Sequence, residues 1–382
     1  MKIIGIICEY NPFHLGHQKQ FDLLRQQFGQ DTAIVCLMSG NFVQRGAPAI
    51  FDKSYRAAAA AACGADLVLE LPVTYALSSA EGFAAGGVRI LSQICDGLCF
   101  GTENGNAEAL MDTARALLSP EFPRHLRIQL DTGVSFPAAR QAALTAMGTD
   151  AGLLRCANDI LAVEYCKAIL SQNSSLQPVA IHREGSYHAQ TPDAENPSAT
   201  SVRQLLLAKE SWKSFVPAAA LPLLENAPVH DLAQGEQAIL YRLKTMTDEE
   251  FEALPYGSEG LWRKLMHASR EHGSLEQIIT ATKSKRYTHT RISRMILCAF
   301  LGITANDLEA APPYVRVLAF RDRGRAILKQ AREQGCFPHI GEEQDSPYWD
   351  LEQRCDRLFP LFSAASPPKG ISPKDRRVWI QP

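Results

Sequence analysis

What the 382-residue chain lacks narrows it first. Its ten cysteines are scattered without a Cys-x-x-Cys pair, Cys95 and Cys99 being the nearest neighbours. That excludes zinc-ribbon spacing and a disulfide framework, and buried, reduced thiols of a cytoplasmic protein are expected instead. Neither charge sign is in excess: 39 Lys and Arg oppose 41 Asp and Glu, for a net charge of −2. Any nucleic-acid contact must therefore come from a local patch. No uninterrupted apolar stretch is long enough to span a bilayer, and the chain enters an apolar strand at once, without the basic region, apolar core and cleavage site of a signal peptide. Neither a membrane nor DNA is an expected partner, and there is no internal repeat. What remains, 46% hydrophobic and 21% charged residues, is the composition of a globular protein with room for two domains and a sizeable core.

The chain is organised around residues Lys2 to Gln20. Ile3 to Cys8 is short, β-branched and closed by Glu9-Tyr10-Asn11-Pro12, so it reads as a buried parallel strand. His14-Leu15-Gly16-His17 then leads into a helix through Phe21, Leu24 and Arg25. A strand, a tight loop and a helix start in that order make an anion site, because free backbone N–H groups and the helix dipole favour negative charge. Two imidazoles add donors, and Gly16 permits close approach to the backbone. Thr32 to Met38, ended by Ser39-Gly40, completes a βαβ unit and hence an α/β sheet. Asp66 to Pro72, Asp96 to Gly101 and Pro178 to Ile181 supply further strands, and Tyr314 to Phe320 a later one. The loop Asn41 to Pro48 leaves the carboxyl end of the second strand, the edge where open parallel sheets bind ligands. Arg45, Lys53 and Arg56 there either face phosphates or are simply solvated. Six alanines, Ala57 to Ala62, extend a helix that Gly64 ends. Asn158, ahead of the periodic stretch from Ile160, is a natural N-cap; Gly101 is either an ordinary turn glycine or one that a nucleotide passes.

Across a polar loop, Glu184 to Asn196, the segment Pro197-Ser198-Ala199-Thr200-Ser201-Val202-Arg203 opens a hydroxyl-rich helix. An arginine in a first helical turn opposes the dipole unless an anion lies between them. From Ser211 the texture changes, with Pro217, Pro222 and Pro228 punctuating a short helical segment before helices dominate. A boundary near residue 225 is expected, giving domains 1–225 and 226–382. Lys283 to Arg294 carries five Lys or Arg residues and no acid, with Tyr287 and His289 interleaved. Such a run suits RNA backbone contact and base stacking, or else forms a solvated helix face.

His14-Leu15-Gly16-His17, directly after an N-terminal strand, resembles the HxGH signature of the nucleotidyltransferase superfamily, whose members cleave a nucleoside triphosphate between its α- and β-phosphates. Pro197 to Arg203 is similar to that superfamily's ISSTxxR motif, with Pro197 and Ala199 replacing two of its residues. Together with Glu9 to Phe13, Ser39-Gly40-Asn41-Phe42-Val43-Gln44-Arg45-Gly46, Asn158 to Ala162 with Glu164-Tyr165, and Arg286 to Arg294, these segments resemble the bacterial tRNA(Met) cytidine acetate ligases. The resemblance implies a Rossmann-like, parallel-sheet nucleotidyltransferase domain over 1–225 and a mostly helical, tRNA-holding domain over 226–382. It implies that acetate and ATP give acetyl-adenylate and pyrophosphate, and that the acetyl group then passes to N4 of the wobble cytidine of elongator tRNA(Met). On matching positions the ATP site comprises Ile7, Cys8, Glu9, Tyr10, Asn11, Pro12, Phe13, His14, Leu15, Gly16, His17, Gln18, Lys19 and Gln20, with Gly101, Asn158, Arg183 and Ser201. His14, His17 and Arg203 carry the chemistry in that reading, and Lys285, Arg286, Arg291 and Arg294 hold tRNA. Mg²⁺ is expected to accompany ATP, although no dedicated carboxylate cluster is visible. Two rival readings stand beside this one. A small-molecule adenylyltransferase of the same superfamily is disfavoured by the helical C-terminal half, and a non-catalytic RNA-binding protein by the intact His14, His17 and Arg203.

Overall fold

In the computed structural model, Ile3–Cys8 is buried along its whole length, as a parallel strand covered on both faces must be. The structure describes residues 1–149, 151–183, 196–284, 286–309, 314–336, 347–364 and 379–380. In chain order the strands are β1 (Ile3–Cys8), β2 (Ala33–Ser39), β3 (Phe42–Val43), β4 (Ala47–Pro48), β5 (Leu67–Leu71), β6 (Gly97–Thr102), β7 (Gln177–His182), β8 (Val317–Phe320) and β9 (Trp379–Ile380). The class is α/β with mostly parallel pairing, as the alternation of apolar runs and helices predicts. No helix among the described residues is long and apolar enough to cross a membrane.

The chain divides into two compact units. The first, residues 1–7 with 79–184, has β1, β6 and β7 in parallel register, Ile4 opposite Gly97 and Cys99 opposite Val179. The helices Ala80–Leu91, Ala107–Leu118 and Ala157–Ser171 belong to it, and each buries an apolar face. The second, residues 8–78 with 185–382, has β2 and β5 parallel, from Val35 opposite Leu67 to Ser39 opposite Leu71. The late strand is shorter than the 314–320 expected from sequence and antiparallel to β5, with a register shift between Val68 and Leu69. Helices from Leu232 to Leu301 surround an apolar cluster of Ile239, Leu243, Phe251, Leu265, Ile278 and Met295, which Phe42, Val73 and Leu77 from the first eighty residues also join.

The six alanines lie in the helix Lys53–Ala62 and are buried through Ala61, so small side chains serve close packing. The same helix overturns the expectation that Lys53 and Arg56 could face phosphates. Lys53 is 1% exposed, with its Nζ 2.6 Å from Glu70 Oε1 and 2.8 Å from Asp356 Oδ1. Arg316 lies 3.4 Å from Glu70 Oε2 and 3.2 Å from Asp356 Oδ2. Glu352 Oε1 accepts the Val73 N–H (2.7 Å) and the Tyr348 hydroxyl (3.0 Å). Two cations thus share one buried region with three carboxyls, and burial, followed by the Glu70 charge, pushes the Glu352 carboxyl up to about 7. Arg56 is fully buried and donates to the carbonyls of Glu9 (2.5 Å), Ser39 (3.1 Å), Phe51 (2.9 Å) and Gly40. Burial lowers its pKa to about 10. It fastens the loops around the end of β2. Arg45 is exposed.

Candidate functional site

The helix Leu15–Phe28 starts at His14, whose backbone is extended. His14 Nδ1 accepts the Gly16 N–H (3.1 Å), and His17 Nδ1 accepts the His14 N–H (3.2 Å). The two histidines therefore exchange cap hydrogen bonds as Ser and Glu do in a capping box. An accepting Nδ1 puts the proton of a neutral imidazole on Nε2. Both rings, stacked with centroids 3.7 Å apart, thus carry a donor on the nitrogen that the cap does not use. Donors beside a helix N-terminus are what an anion requires.

The residues before the histidines form their support. Tyr10, at φ +43°, is buried with its ring edge-on to Phe13 (4.9 Å) and to His17 (4.8 Å), and its hydroxyl lies 3.3 Å from Cys36 Sγ. Glu9 Oε1 accepts the Gln44 N–H (2.8 Å), and Asn11 Oδ1 accepts the Ile50 N–H (2.7 Å). Ile7, Cys8, Tyr10, Asn11, Pro12 and Phe13 are buried. Leu15, Gly16, Gln18 and Gln20 are half-buried, and Lys19 is exposed.

The second motif meets the first. Arg203 Nη1 donates to the Asn11 carbonyl at 2.7 Å, across 192 positions, and Nη2 to Thr200 Oγ1 at 3.2 Å. Lys19 Nζ reaches Asn196 Oδ1 at 3.4 Å. The helix Ala199–Ala208 is capped by Ser198, which accepts the Ser201 N–H (3.0 Å), while the Ser201 hydroxyl donates to the Ser198 carbonyl (2.9 Å). Ser201 is fully buried in that cap. It shapes the helix start that the resemblance assigns to the ATP site. Residues 184–195 of the polar loop lie outside the described residues.

In the first unit, the predicted Gly101, Asn158 and Arg183 come together. A Cβ on Gly101 would stand 2.5 Å from Arg183 Cδ, so glycine is what lets the arginine stem pass. Arg183 Nη1 donates to Asn158 Oδ1 at 3.4 Å, and Asn158 Nδ2 donates to Glu103 Oε1 at 2.5 Å. Asn158 is not the N-cap expected from sequence. The helix Ala157–Ser171 is entered from Cys156, which makes no side-chain cap bond, and Glu103 Oε2 accepts the Asp159 N–H (3.1 Å) instead. Asp159, fully buried, accepts the Glu103 N–H (2.8 Å), the Asn104 N–H (3.1 Å) and the Thr102 hydroxyl. Asp159 is expected only as part of the segment Asn158 to Ala162, and Glu103 not at all; its one signal is a polar position two residues after Gly101. Glu103, Cys156 and Asp159 bring possible metal ligands within 4.8 Å of one another. Both oxygens of each carboxylate already accept protein hydrogen bonds, and a thiol is foreign to the oxygen octahedron Mg²⁺ demands. The cluster does not fit that ion.

The basic segment turns some of its side chains inward and leaves others exposed. Tyr287, expected to stack on bases, is buried, and its hydroxyl donates to the Glu259 carbonyl (2.7 Å). Arg294 is buried over the Tyr256 ring (5.2 Å) and donates to the Gln44 carbonyl (3.3 Å). Gly46, at φ +78°, lies against the Ser293–Arg294 backbone where a Cβ would collide. Arg291 donates to the Tyr256 carbonyl (2.7 Å) and Ser258 Oγ (3.0 Å). Arg291 and Arg294, both expected to hold tRNA, set their guanidinium groups on loop carbonyls. Arg286 has a side chain 70% exposed, and Lys285 lies outside the described residues. Lys264 Nζ donates to the Lys283 carbonyl (3.2 Å), which sets Lys283 beside the helix Leu261–Glu271, where exposed Arg263 stacks on Trp262 (4.8 Å).

Comparison with known proteins gives the family of the chain. Residues 1–370 match the HIGH Nucleotidyl Transferase family. A tRNA(Met) cytidine acetate ligase of Clostridium novyi (strain NT) is 38% identical over 357 residues, 88% of this chain and 89% of that one. Another from Caldanaerobacter subterraneus subsp. tengcongensis is 38% identical over 362 residues, 89% of this chain and 88% of that one. Apo Thermotoga maritima TmcAL superposes with a TM-score of 0.91 at 29% identity, covering 100% of this chain and 99% of its own. A second crystal form of that protein, bound with alpha-thio ATP, gives 0.85 at 30% identity over 95% of each chain. The chain belongs to the HIGH nucleotidyl transferase family and, within it, to the tRNA(Met) cytidine acetate ligases.

Proposed function

We propose that this protein activates acetate with ATP as acetyl-adenylate and transfers the acetyl group to N4 of the wobble cytidine of elongator tRNA(Met), acting in the cytoplasm. Beyond family membership, the observation that carries the reading is the meeting of the two phosphate motifs, with Arg203 on the Asn11 carbonyl. In the first step an acetate oxygen attacks the α-phosphorus, and the bond from that phosphorus to the bridging oxygen breaks as pyrophosphate leaves with the electron pair. Charge builds on the departing group, so positioning and positive electrostatics supply most of the catalysis. The Nε2–H groups of His14 and His17 donate to that charge, and Arg203 adds a cation from the facing motif. In the second step the cytidine N4 attacks the acetyl carbon, AMP leaves, and N4 loses a proton. Both nucleophiles come from substrates, so no Ser or Cys nucleophile is required. The family resemblance also assigns Gly101, Asn158 and Arg183 of the first unit to ATP binding. Mg²⁺ would be held by the triphosphate oxygens, since among the described residues the Glu103, Cys156 and Asp159 cluster does not fit it.

The catalytic part lies within 1–225 and the tRNA-holding part within 226–382. Exposed Arg263, Lys283 and Arg286 supply backbone contacts there. Incubation with labelled acetate, ATP and bulk tRNA, followed by nucleoside analysis, tests the reading. Label is expected in N4-acetylcytidine; label in a small dinucleotide would establish the small-molecule adenylyltransferase in its place.

A further inference from the structure

Asn158 stands between an acceptor and a donor that leave its amide only one orientation. Glu103 offers oxygens that only accept, 2.5 Å from Asn158 Nδ2, and Arg183 offers N–H groups that only donate, 3.4 Å from Asn158 Oδ1. Turning the amide over would set Oδ1 against a carboxylate and Nδ2 against a guanidinium, losing both bonds. Glu103 is itself held, because its other oxygen accepts the Asp159 N–H and its own N–H is fixed by the buried Asp159 carboxylate. The bond at the Arg183 end is the long one, so the guanidinium has room to tighten onto an anion while keeping its direction. We propose that Glu103 is a positioning residue for nucleotide binding: it holds the Asn158 amide with its oxygen toward Arg183, so that the guanidinium is presented to the nucleotide in one orientation. This rests on the reading that Asn158 and Arg183 belong to the ATP site.

The test reverses the polarity of the chain. In Glu103→Gln the new amide keeps its oxygen for the Asp159 N–H and turns its NH₂ toward Asn158. Asn158 then flips and presents a donor to Arg183. In Asn158→Asp two carboxylates face each other at hydrogen-bond distance. In the double variant the amide introduced at position 103 donates to the carboxylate introduced at position 158, whose other oxygen accepts from Arg183. The chain is then whole again, with the donor moved by one residue. Acetate-dependent ATP–pyrophosphate exchange, with ATP varied, should show KM for ATP raised about tenfold in each single variant, at a melting temperature close to the parent's. The double variant should return to within about threefold of the parent, a recovery that contact-forming neighbours show and independent sites do not. Should Glu103→Gln fail to fold, Asn158→Asp against the double variant supplies the same comparison. Arg183→Ala is run in parallel. If it leaves KM unchanged, the assignment of Arg183 to the ATP site fails. If it raises KM while Glu103→Gln does not, or if the double variant is no better than the worse single one, the positioning role of Glu103 is overturned.

Discussion

Arg203 joins a tether to a proposed phosphate contact, and two substitutions separate them. Its Nη1 lies 2.7 Å from the Asn11 carbonyl, and a hydrogen bond from a charged donor contributes about 1.5–3 kcal/mol when well buried. Arg203 is only half-buried, so about 1–2 kcal/mol of unfolding free energy should be lost in Arg203→Ala. If the rest of the guanidinium forks a phosphate, the same variant should raise KM for ATP by roughly tenfold to a hundredfold, the equivalent of one charge-assisted bond. In Arg203→Lys the ammonium can reach the Asn11 carbonyl or a phosphate, but as a point charge it cannot fork between them. Its stability should fall within about 0.5 kcal/mol of the parent, while KM for ATP stays raised about tenfold. Urea unfolding is measured without ATP, since bound ligand would add its own stabilisation, and KM comes from acetate-dependent exchange. Full recovery of KM in the lysine variant would show that forked geometry is irrelevant. Loss of stability in the alanine variant with KM unchanged would reduce Arg203 to a tether.

His17→Asn keeps a side-chain acceptor for the His14 N–H but removes the Nε2 donor, so the helix start should survive while exchange falls by roughly a hundredfold; unchanged exchange would take His17 out of the chemistry. His14→Ala should do the same and also lower stability by about 1 kcal/mol, because the cap goes with it. Changing Arg263, Lys283 and Arg286 together to Ala should flatten the salt dependence of tRNA binding, by a slope of about 0.7–0.9 per lost phosphate contact, and leave exchange without tRNA intact. Arg294→Ala should lower stability and keep the slope; collapse of exchange in the triple variant with tRNA affinity retained would refute this surface. Glu352, whose carboxyl is pushed up to about 7 by burial and then by Glu70, with Lys53 and Arg316 partly opposing, binds its proton more tightly when folded. Its stabilising contribution is therefore full below the unfolded value near 4.5 and is lost as pH rises through about 7. Glu352→Gln should abolish that part of the decline, of order 2–3 kcal/mol by linkage; melting curves of both proteins between about pH 5 and 8 that run parallel would exclude it.

The parts legible in the sequence are those fixed by neighbours along the chain. A β-branched run, a turn and two histidines at a helix start carry their meaning within twenty residues, and β1, His14 and His17 stand where that pattern puts them. Arg203 was legible only as a residue out of place in a first turn; its partner, the Asn11 carbonyl, is 192 positions away. Lys53 and Arg56 were open to misreading because a long basic side chain on a polar helix start is usually solvated. Only Glu70 on β5 and Asp356 near the end of the chain, or four backbone carbonyls around Arg56, show otherwise. Tyr287 and Arg294 fit an RNA surface or a solvated helix face equally well on composition, and the burial of both rules out the solvated face. Asn158 obeyed a capping rule locally, but a carboxylate 55 positions earlier claims its amide.

The buried ion network also bears on how far the two functional parts can be separated. A chain ending at residue 225 would retain Lys53 and Glu70 but lose Arg316, Glu352 and Asp356. The Val73 N–H would lose its acceptor Glu352, and Asn41 Nδ2 would lose Asp356, 3.1 Å away. Breaking one partner out of a buried ion pair costs about 3–5 kcal/mol, and here several partners leave at once. Phe42, Val73 and Leu77 would also be stripped of the helical residues they pack with. Against a total stability of about 5–15 kcal/mol for a typical domain, those losses are enough to unfold it. Residues 1–225 expressed alone are therefore expected to show no cooperative thermal transition and no exchange activity, although every proposed ATP-contacting residue is present. A cooperative transition with exchange near that of the full chain would refute the argument and make the helical part an appendage. The opposite result would mean that the helices proposed to hold tRNA are also what keeps the ATP site folded.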